Sequence, residues 1–527
     1  MKQSFAILLC VPILLSAQVW TARYNGPGSN RDESNAIILD SLYNVYITGW
    51  SPHTYGFSYD YCTIKYNSLG VQQWAARYNG PSDTVDQARA IGLDESLNVY
   101  VTGRSFDWTT NNDIVTIKYN NQGEEQWVKR YNGTANDDDQ AYAIAVSPQG
   151  NVYVGGYQSN IGTYWDYCLI KYNAQGESLW VANYNGSGNS NDAIYALTID
   201  SMENCYVTGY SFGDTTDYDI VTIKYNPDGE TVWVARYDGP VHGFDRGADI
   251  AINQLGEVWV TGASMDSAEQ QDYVTIHYNS NGMRQWVSRY HGPGIGNDRA
   301  CAIAIDTSNY SYVTGSSIGS NNYSDIATIK YDPDGHEQWV ARYDGLANNI
   351  DNATDIALDP FGNVCVSGYS QNIVTSNDWV TIKYNPMGDT CWVAIFDNNA
   401  HLDDETHAIT TDDSGYVYVT GYSMGIGSLR DYFTVKYYQG GLSGMQQTNA
   451  GKFIDNRPVI FPNPAKNLIN VISPMPIKLF DVTGKLITTL KPGTNTIKNL
   501  AKGIYFANIN NKKLTKLVVL DNKPQSF

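Results

Sequence analysis

Charge is scarce in this chain. Of its 527 residues 17% are Asp, Glu, Lys or Arg, against about a quarter in ordinary soluble domains. Basic residues are the scarcer sign, 34 against 54 acidic, which leaves a net charge of −20. A nucleic-acid partner needs clustered Lys and Arg to neutralise its phosphates, so this balance argues against one. No apolar stretch after the N-terminal run reaches the length of a membrane span. Helix-length apolar periodicity is missing from the body. So are a GxSxG elbow, a phosphate-binding loop and a dinucleotide fingerprint. Seven cysteines and seven histidines are thinly scattered. What is plentiful is glycine (47), tyrosine (41) and tryptophan (13) in a chain that is 42% apolar, which suits a folded, turn-rich protein.

The chain opens MKQSFAILLCVPILLSAQ, with Lys2, an apolar run from Phe5 to Leu15 and then Ser16-Ala17. This order reads as a secretory signal peptide over residues 1–17, cleaved near Ala17. Cys10 lacks small residues before it, which argues against a lipid anchor. Charge then divides the chain. From Gly451 onward there are 12 Lys+Arg and 3 Asp+Glu, or +9; the rest holds 34 − 12 = 22 basic and 54 − 3 = 51 acidic residues, or −29. The split marks a boundary near residues 440–460.

Tryptophans recur at Trp20, Trp74, Trp127, Trp180, Trp233, Trp286, Trp339 and Trp392, spaced first by 54 and then by 53. So strict a period is architecture. Each unit holds four short pieces rich in Val, Ile, Thr, Tyr and Trp and bounded by Gly, Asn or Asp. They are a (AIILD, 36–40), b (NVYITG, 44–49), c (DYCTIKYN, 60–67) and d (WVARYDG, 233–239). These are strand and turn signals, and four antiparallel strands repeated radially make a propeller blade. Strand c begins with Asp60, Asp113, Asp166, Asp219, Asp272, Asp325, Asp378 and Asp431, so eight a–b–c sets exist. No tryptophan follows the last set, whereas Trp20 precedes the first. The fold predicted is all-β, an eight-bladed propeller over residues 18–438 with residues 20–25 as the outer strand of its final blade. Seven blades would leave a complete unit unplaced. The a–b and c–d turns are short and constant, while the b–c and d–a connections vary and emerge on one face.

Most chemistry-bearing residues share the period. The turns Asn226-Pro-Asp228-Gly229 and Asp332-Pro-Asp334-Gly335 resemble calcium loops, but equivalent turns lack the second acid and read as plain turns. Lys65, Lys118, Lys171, Lys224, Lys330, Lys383 and Lys436 recur, with His277 in the remaining unit. A catalytic lysine would be singular, so these are expected to lie along the neighbouring blade with their charge in water. The aspartates before strand a (Asp32, Asp86, Asp139, Asp192, Asp245, Asp298, Asp351, Asp404) and those opening strand c are expected to accept backbone donors as turn braces. A carboxylate ring around the channel is the alternative. Cys62, Cys168, Cys205 and Cys365 stand where other units carry Val, Ala, Phe or Tyr and read as small hydrophobes, with one chance disulfide the most expected. HLDDETH (401–407) is the best lone metal or acid–base cluster, weighed against a solvated acidic loop. No catalytic residue, metal site or cofactor is assigned.

Nonrepeating aromatics remain. The b–c loop WSPHTYGFSY (50–59) carries Trp50, His53, Tyr55, Phe57 and Tyr59; RSFDWTTNN (104–112) adds Phe106 and Trp108; Tyr164 and Trp165 follow in the third unit. They are ligand-contact candidates for a patch on blades 1–3, the alternative being that they pack down over the blade tops.

The unit D-x-x-x-A-I-x-x-D-x-x-G-N-V-Y-V-T-G-Y-S…D-x-x-T-I-K-Y-N-x-x-G-x-x-x-W resembles the SBBP-type beta-propeller repeat of exported bacterial proteins over about residues 20–438. The resemblance implies the fold; the family is largely without assigned activity. FPNPAKNLINV, IKLFDVTGKLITTL and LAKGIYFANINNKKLTKLVVL look like the type A C-terminal sorting domain of the type IX secretion system. The matching positions are Pro462, Asn463, Pro464, Asp481, Gly484, Gly503, Tyr505 and Lys516. That resemblance implies a small β-sandwich over 460–527, after a linker over 439–459. It also implies recognition by the outer-membrane export machinery once the general secretion machinery has delivered the chain to the periplasm. The product is expected on the outer cell surface or secreted, as a propeller scaffold that binds a glycan or protein partner through its variable-loop face. Two alternatives stay open. One is a secreted propeller enzyme (lyase, glycosidase or quinone-dependent dehydrogenase), although no adjacent cysteine pair and no unique central acid–base–metal group is evident. The other is a passive structural or adhesive surface component.

Overall fold

The computed structural model describes residues 18–438, apart from 29, 54–57, 373–375, 399 and 426–428, and beyond 438 the C-terminal strands with Lys485. Gln18–Gln439 forms one compact unit and the C-terminal strands belong to another. Every regular element described in the first unit is a strand, and the strands form eight four-stranded antiparallel sheets arranged as a ring of blades. Blade 1 is Glu33–Leu39 (a), Val45–Pro52 (b), Tyr59–Tyr66 (c) and Gln72–Tyr78 (d). Seven blades run a-b-c-d in sequence. In the eighth, strands a to c are Asp404–Thr411, Val417–Ser423 and Asp431–Tyr437, and strand d is Gln18–Tyr24. The N-terminal strand thus closes the ring, as its unmatched tryptophan foretold. Arg23 and Asp431 are paired at 2.7 Å across that closure.

Strands b and c are buried on both faces, because each blade is covered by its two neighbours, and they read as near-continuous apolar or β-branched runs. Strand d alternates between exposed and half-buried positions at the rim. The hydrophobic core lies between blades: Tyr206 and Ile220 of blade 4 pack with Val258, Val260 and Ile276 of blade 5. No blade can bury its faces alone, so stability is shared around the ring.

The Gly-x-x-x-Trp spacing of each c–d hairpin has an interblade cause. Seven of the strand-d tryptophans donate their indole N–H to a carbonyl in the next blade's c–d turn, from Trp20 to Ser68 (3.1 Å) through Trp339 to Pro386 (3.2 Å). The turn glycine lies beneath that indole. Gly123 has φ +81°, and a Cβ there would stand 2.6 Å from Trp74 Cδ2. Gly123→Ala is therefore expected to cost about 2–4 kcal/mol, adding a left-handed-backbone penalty to overpacking. Gly162→Ala, at φ +93° with nothing within 4 Å, is expected to cost about 1 kcal/mol from the backbone alone. Paired denaturation curves check the difference. Trp392 is the exception at the seam. The chain leaves the repeat after strand c of blade 8, and the buried Trp392 indole N–H finds no partner among the described residues.

The repeated polar residues settle into three devices. Each strand-a aspartate is buried and accepts the backbone N–H six residues before it, from Gly26 to Asp32 (3.1 Å), Gly80 to Asp86 (2.7 Å) and Gly292 to Asp298 (2.8 Å), for example. This is the expected brace. The strand-c set departs from expectation. Asp60, Asp113, Asp219, Asp272, Asp325 and Asp431 pair with a strand-d arginine, as in Asp60–Arg77 at 2.9 Å, because the hairpin sets that guanidinium opposite them. The lysine expectation is also corrected. Lys65, Lys171, Lys383 and Lys436 are buried. Nζ of Lys118 lies 5.1 Å from the Tyr100 ring and bonds the Ala174 carbonyl of the next blade at 2.9 Å. The ammonium is held by an aromatic face and a turn carbonyl, not by bulk water.

All six described cysteines are unpaired. Burial raises the thiols of Cys62 and Cys365 to about 12, consistent with their use as small hydrophobes. In the C-terminal unit, Val459–Phe461, Leu468–Ser473 and Gly493–Lys498 form a three-stranded sheet. Ile477–Asp481, Leu486–Leu490, Gly503–Ile509 and Lys512–Val519 form a four-stranded one, the two-sheet composition expected of a small sandwich. Asp481 is in register with Tyr505, and Lys516 with Phe506. Pro462, Asn463, Pro464, Gly484, the signal peptide and most of the expected linker lie outside the described residues. Among the described residues no helix is long and apolar enough to cross a membrane.

Candidate functional site

Among the described residues the loop aromatics fall into separate pairs. Trp50 ends strand b, nearly buried, with Tyr59 edge-on at 4.5 Å. Phe106 and Trp108 meet at 5.1 Å on the tip of blade 2, with Trp108 75% exposed. Tyr164 is 69% exposed at a φ of +61°, which turns it outward, while Trp165 stacks on Tyr157 at 4.3 Å. Among the described residues no ring of one pair stacks on a ring of another. His53 lies 3.7 Å from Asp83. Tyr55 and Phe57 lie outside the described residues.

A second set of varying residues lies on the inner strands. In all eight blades strand a carries a β-bulge three residues after its aspartate. The bulge lifts one residue out of the hydrogen-bond ladder and re-aims its side chain. Those residues are Asn35, Arg89, Tyr142, Tyr195, Ala248, Cys301, Thr354 and His407, seven residue types at eight geometrically equivalent places. Two residues earlier, nearest the variable face, stand Glu33, Gln87, Gln140, Ala193, Arg246, Arg299, Asn352 and Glu405. Strand a is innermost, so both sets surround the axis. A cavity of about 470 Å³ is lined by Glu33, Asn35, Trp50, Gln87, Arg89, Thr354 and His407, from blades 1, 2, 7 and 8. Another of about 480 Å³ includes Arg246, Ala248, Arg299 and Cys301, from blades 5 and 6.

The mouth of the channel is chemically lopsided. On blades 2 to 5 the Arg89 guanidinium lies 5.6 Å from the Tyr142 ring, Tyr142 stacks on Tyr195 at 5.0 Å and 27°, and Arg246 covers Tyr195 at 4.2 Å. Tyr157 and Tyr210 support this row from strand b. Burial raises the Tyr142 hydroxyl, and the charges of Arg89, Arg104 and Arg246 pull it back. On blades 8 and 1 the acids are already engaged: Arg430 pairs with Glu33 and covers Tyr422 at 4.0 Å, and Asn377 donates to Glu405 at 2.9 Å. His407 donates its Nδ1–H to the Ser34 carbonyl at 2.7 Å, which leaves Nε2 as an acceptor when the ring is neutral.

HLDDETH does not assemble. His401 turns back to Asp397 (2.6 Å), Asp404 is a buried brace, Asp403 takes the Ser376 hydroxyl, and His407 belongs to the channel wall. Strand geometry sends alternate residues to opposite faces, so a loop-like cluster on paper is dispersed. The braces themselves draw acids together: Asp219, Asp238 and Asp245, and likewise Asp325, Asp344 and Asp351, place a ligand atom each within 4.8 Å of one another. Arg236 and Arg342 already supply positive charge to these groups. The wall residues Arg89, Tyr142, Tyr195 and Arg246 escape a reading by period, since they occupy the unspecified positions of the repeat, and Arg104 replaces the Tyr of its T-G-Y-S piece. Their signal was the residue-to-residue change itself.

Comparison with known proteins places both parts of the chain. Residues 459–520 match the model of the secretion system C-terminal sorting domain, and residues 126–157 match the beta-propeller repeat model, SBBP. A WD repeat-containing protein of Acanthamoeba polyphaga mimivirus, itself uncharacterised, is 23% identical over 453 residues. The match takes in 67% of this chain, which spans 30% of that relative's length. Among solved structures, PorZ, a surface component of the type IX secretion system of Porphyromonas gingivalis, aligns with 95% of this chain and 70% of its own at 15% identity and a TM-score of 0.42. The polysaccharide lyase Uly1 aligns with 81% of this chain and 98% of its own at 9% identity and a TM-score of 0.41. The chain therefore carries the SBBP beta-propeller repeat and a C-terminal sorting domain of the type IX system, and it is an exported protein, secreted or held at the cell surface.

Proposed function

We propose that this exported propeller is a binding protein whose ligand, a glycan or a protein segment, enters the central channel from the variable face. The loop aromatics Trp108 and Tyr164 then stand at the rim rather than at the centre. The observation that carries this reading is the placement of variation. Trp, Gly, Lys and Asp repeat with the scaffold, whereas the bulge position differs from blade to blade around one opening. A passive ring has no use for seven kinds of side chain at one equivalent place; a convergent pocket does.

The purified protein, probed with a glycan panel and with cell-surface extracts, tests this. Tyr142→Ala with Tyr195→Ala is expected to weaken binding at least about tenfold, and Trp108→Ala with Tyr164→Ala to change it less than about threefold. Binding that survives the first pair and disappears with the second would place the site on the loop tips and end the channel reading.

A further inference from the structure

The arginines of the propeller fall into three groups, one of which is the exposed Arg31 and Arg284, which line neither cavity and form no salt bridge among the described residues. Arg23, Arg77, Arg130, Arg236, Arg289, Arg342 and Arg430 each pair with a carboxylate. Arg89, Arg104, Arg246 and Arg299 form no salt bridge among the described residues, and all four line the channel mouth or stand across the ladder from a residue that does. They do so in a body where acids outnumber bases 51 to 22. Arg104 donates from Nε and Nη2 to the neutral Gln87 Oε1 at 3.1 and 2.8 Å. The Nε of Arg89 is buried and has no partner among the described residues. Burial lowers the pKa of Arg104 and the neighbouring charge of Arg89 lowers it further, while Asp138 pulls it back up. Two half-buried guanidiniums on neighbouring strands, sharing the Gln87 wall, are costly unless an anion completes them.

The row Arg89–Tyr142–Tyr195–Arg246 also restricts how such an anion is met. Stacking uses the faces of the guanidinium and phenol groups, which leaves the N–H edges and hydroxyls as donors. Beside Glu33, Trp50 and His407, the surrounding wall is made of Gln87, Asn35 and Thr354, which bring amide and hydroxyl groups. Buried aliphatic anchors of the kind that dominate protein–protein hot spots are scarce there. A hydroxyl-rich ligand bearing spaced negative charges suits this wall better than a peptide does.

Resting on the channel reading above, we propose that the ligand is an acidic sugar chain, whose carboxylate or sulfate is taken by the Arg89–Arg104 pair while Arg246 and the tyrosine hydroxyls hold the adjoining residue. Planar guanidinium forks match either anion, so carboxylate and sulfate share one recognition chemistry.

Calorimetry on the purified full protein with three probes tests this: a galacturonate hexamer, a sulfated galactan hexamer and a neutral galactan hexamer. At least one acidic hexamer is expected to bind about tenfold or more tightly than the neutral one, with affinity falling as salt rises. The preferred hexamer identifies the anion as carboxylate or sulfate. Arg89→Gln with Arg104→Gln is expected to reduce that affinity about tenfold or more. Arg246→Gln, at an exposed side chain, repeats the test where the double variant unfolds. Equal binding of the neutral hexamer, indifference to both arginine variants, or binding of an oligoglutamate peptide in place of any sugar would each overturn the acidic-sugar assignment. In the first and second cases, loss of binding in the Tyr142/Tyr195 variant would leave the channel reading standing.

Discussion

Removal of Gln18–Tyr24 is expected to lower the melting temperature of the propeller by at least about 10 °C. The deletion takes away the whole outer strand of blade 8 and with it the ladder to Asp431–Tyr437. It also empties part of an interblade core. Ala22 and Trp20 pack with Val45, Ile47, Ile64 and Tyr66 of blade 1 and Tyr418 of blade 8, and the Trp20 indole reaches the Ser68 carbonyl. Arg23 leaves Asp431, whose side chain is 2% exposed, without its guanidinium. Strand c of blade 8 is buried along its full length, and losing its neighbour converts it into a bare edge prone to pairing with other chains. Trp20→Ala alone keeps the ladder and is expected to cost about 3–5 kcal/mol, the usual range for a packed indole. Thermal melts of chains beginning at Gln18 and at Asn25 make the comparison. Equal melts would mean that the eighth blade does not depend on the N-terminal strand.

The second large effect is stabilisation by mild acid. Burial raises Asp32 and Asp139 to about 7 and Asp86, Asp192, Asp245, Asp351 and Asp404 to about 6, against the backbone N–H bonds that favour their ionised forms. Asp249 and Asp355 rise to about 6 and 7 for the same reason while accepting the N–H groups of Ile303 and Ile409 in a following blade. In the unfolded chain such carboxyls titrate near 3.9. Between about pH 4 and 7 the native chain therefore binds more protons, and the free energy of unfolding falls as pH rises through that window. The melting temperature at pH 5.5 is expected to exceed that at pH 8 by about 5 °C or more. Asp355→Asn, which keeps the size of the side chain and removes its charge, is expected to shrink the difference. A melt that is flat or falling from pH 8 to 5.5 would show the braces to be ionised throughout.

Blade number, the eighth blade's split origin and the Gly–Trp hairpin were legible because each is stated many times over. One Trp20 too many at the start and none after Tyr437 is a counting result that needs no energetics. The aspartate braces were legible at strand a. At strand c the partner was missed, although Asp60 and Arg77, Asp113 and Arg130, and Asp219 and Arg236 keep one spacing of 17. That spacing is the length of a hairpin, and the turn between the strands is what turns it into contact. The lysines were misplaced because a propeller buries polar side chains between blades, where an aromatic face and a turn carbonyl from the neighbour replace water. Least legible was the channel wall. A one-residue bulge leaves no mark on a period of 53, so Arg89 and Tyr142 look like tolerated variation rather than like neighbours in a row.

The bulge has a further meaning for how such proteins diversify. A side chain lifted out of the ladder can be exchanged without shifting register, and its blade keeps the same core, brace and interblade bonds. Eight such places surround one opening, each free to change while the fold stays fixed. Specificity in this architecture is accordingly modular: a new ligand calls for a handful of point substitutions on the inner ring, and the rest of the molecule need not answer them.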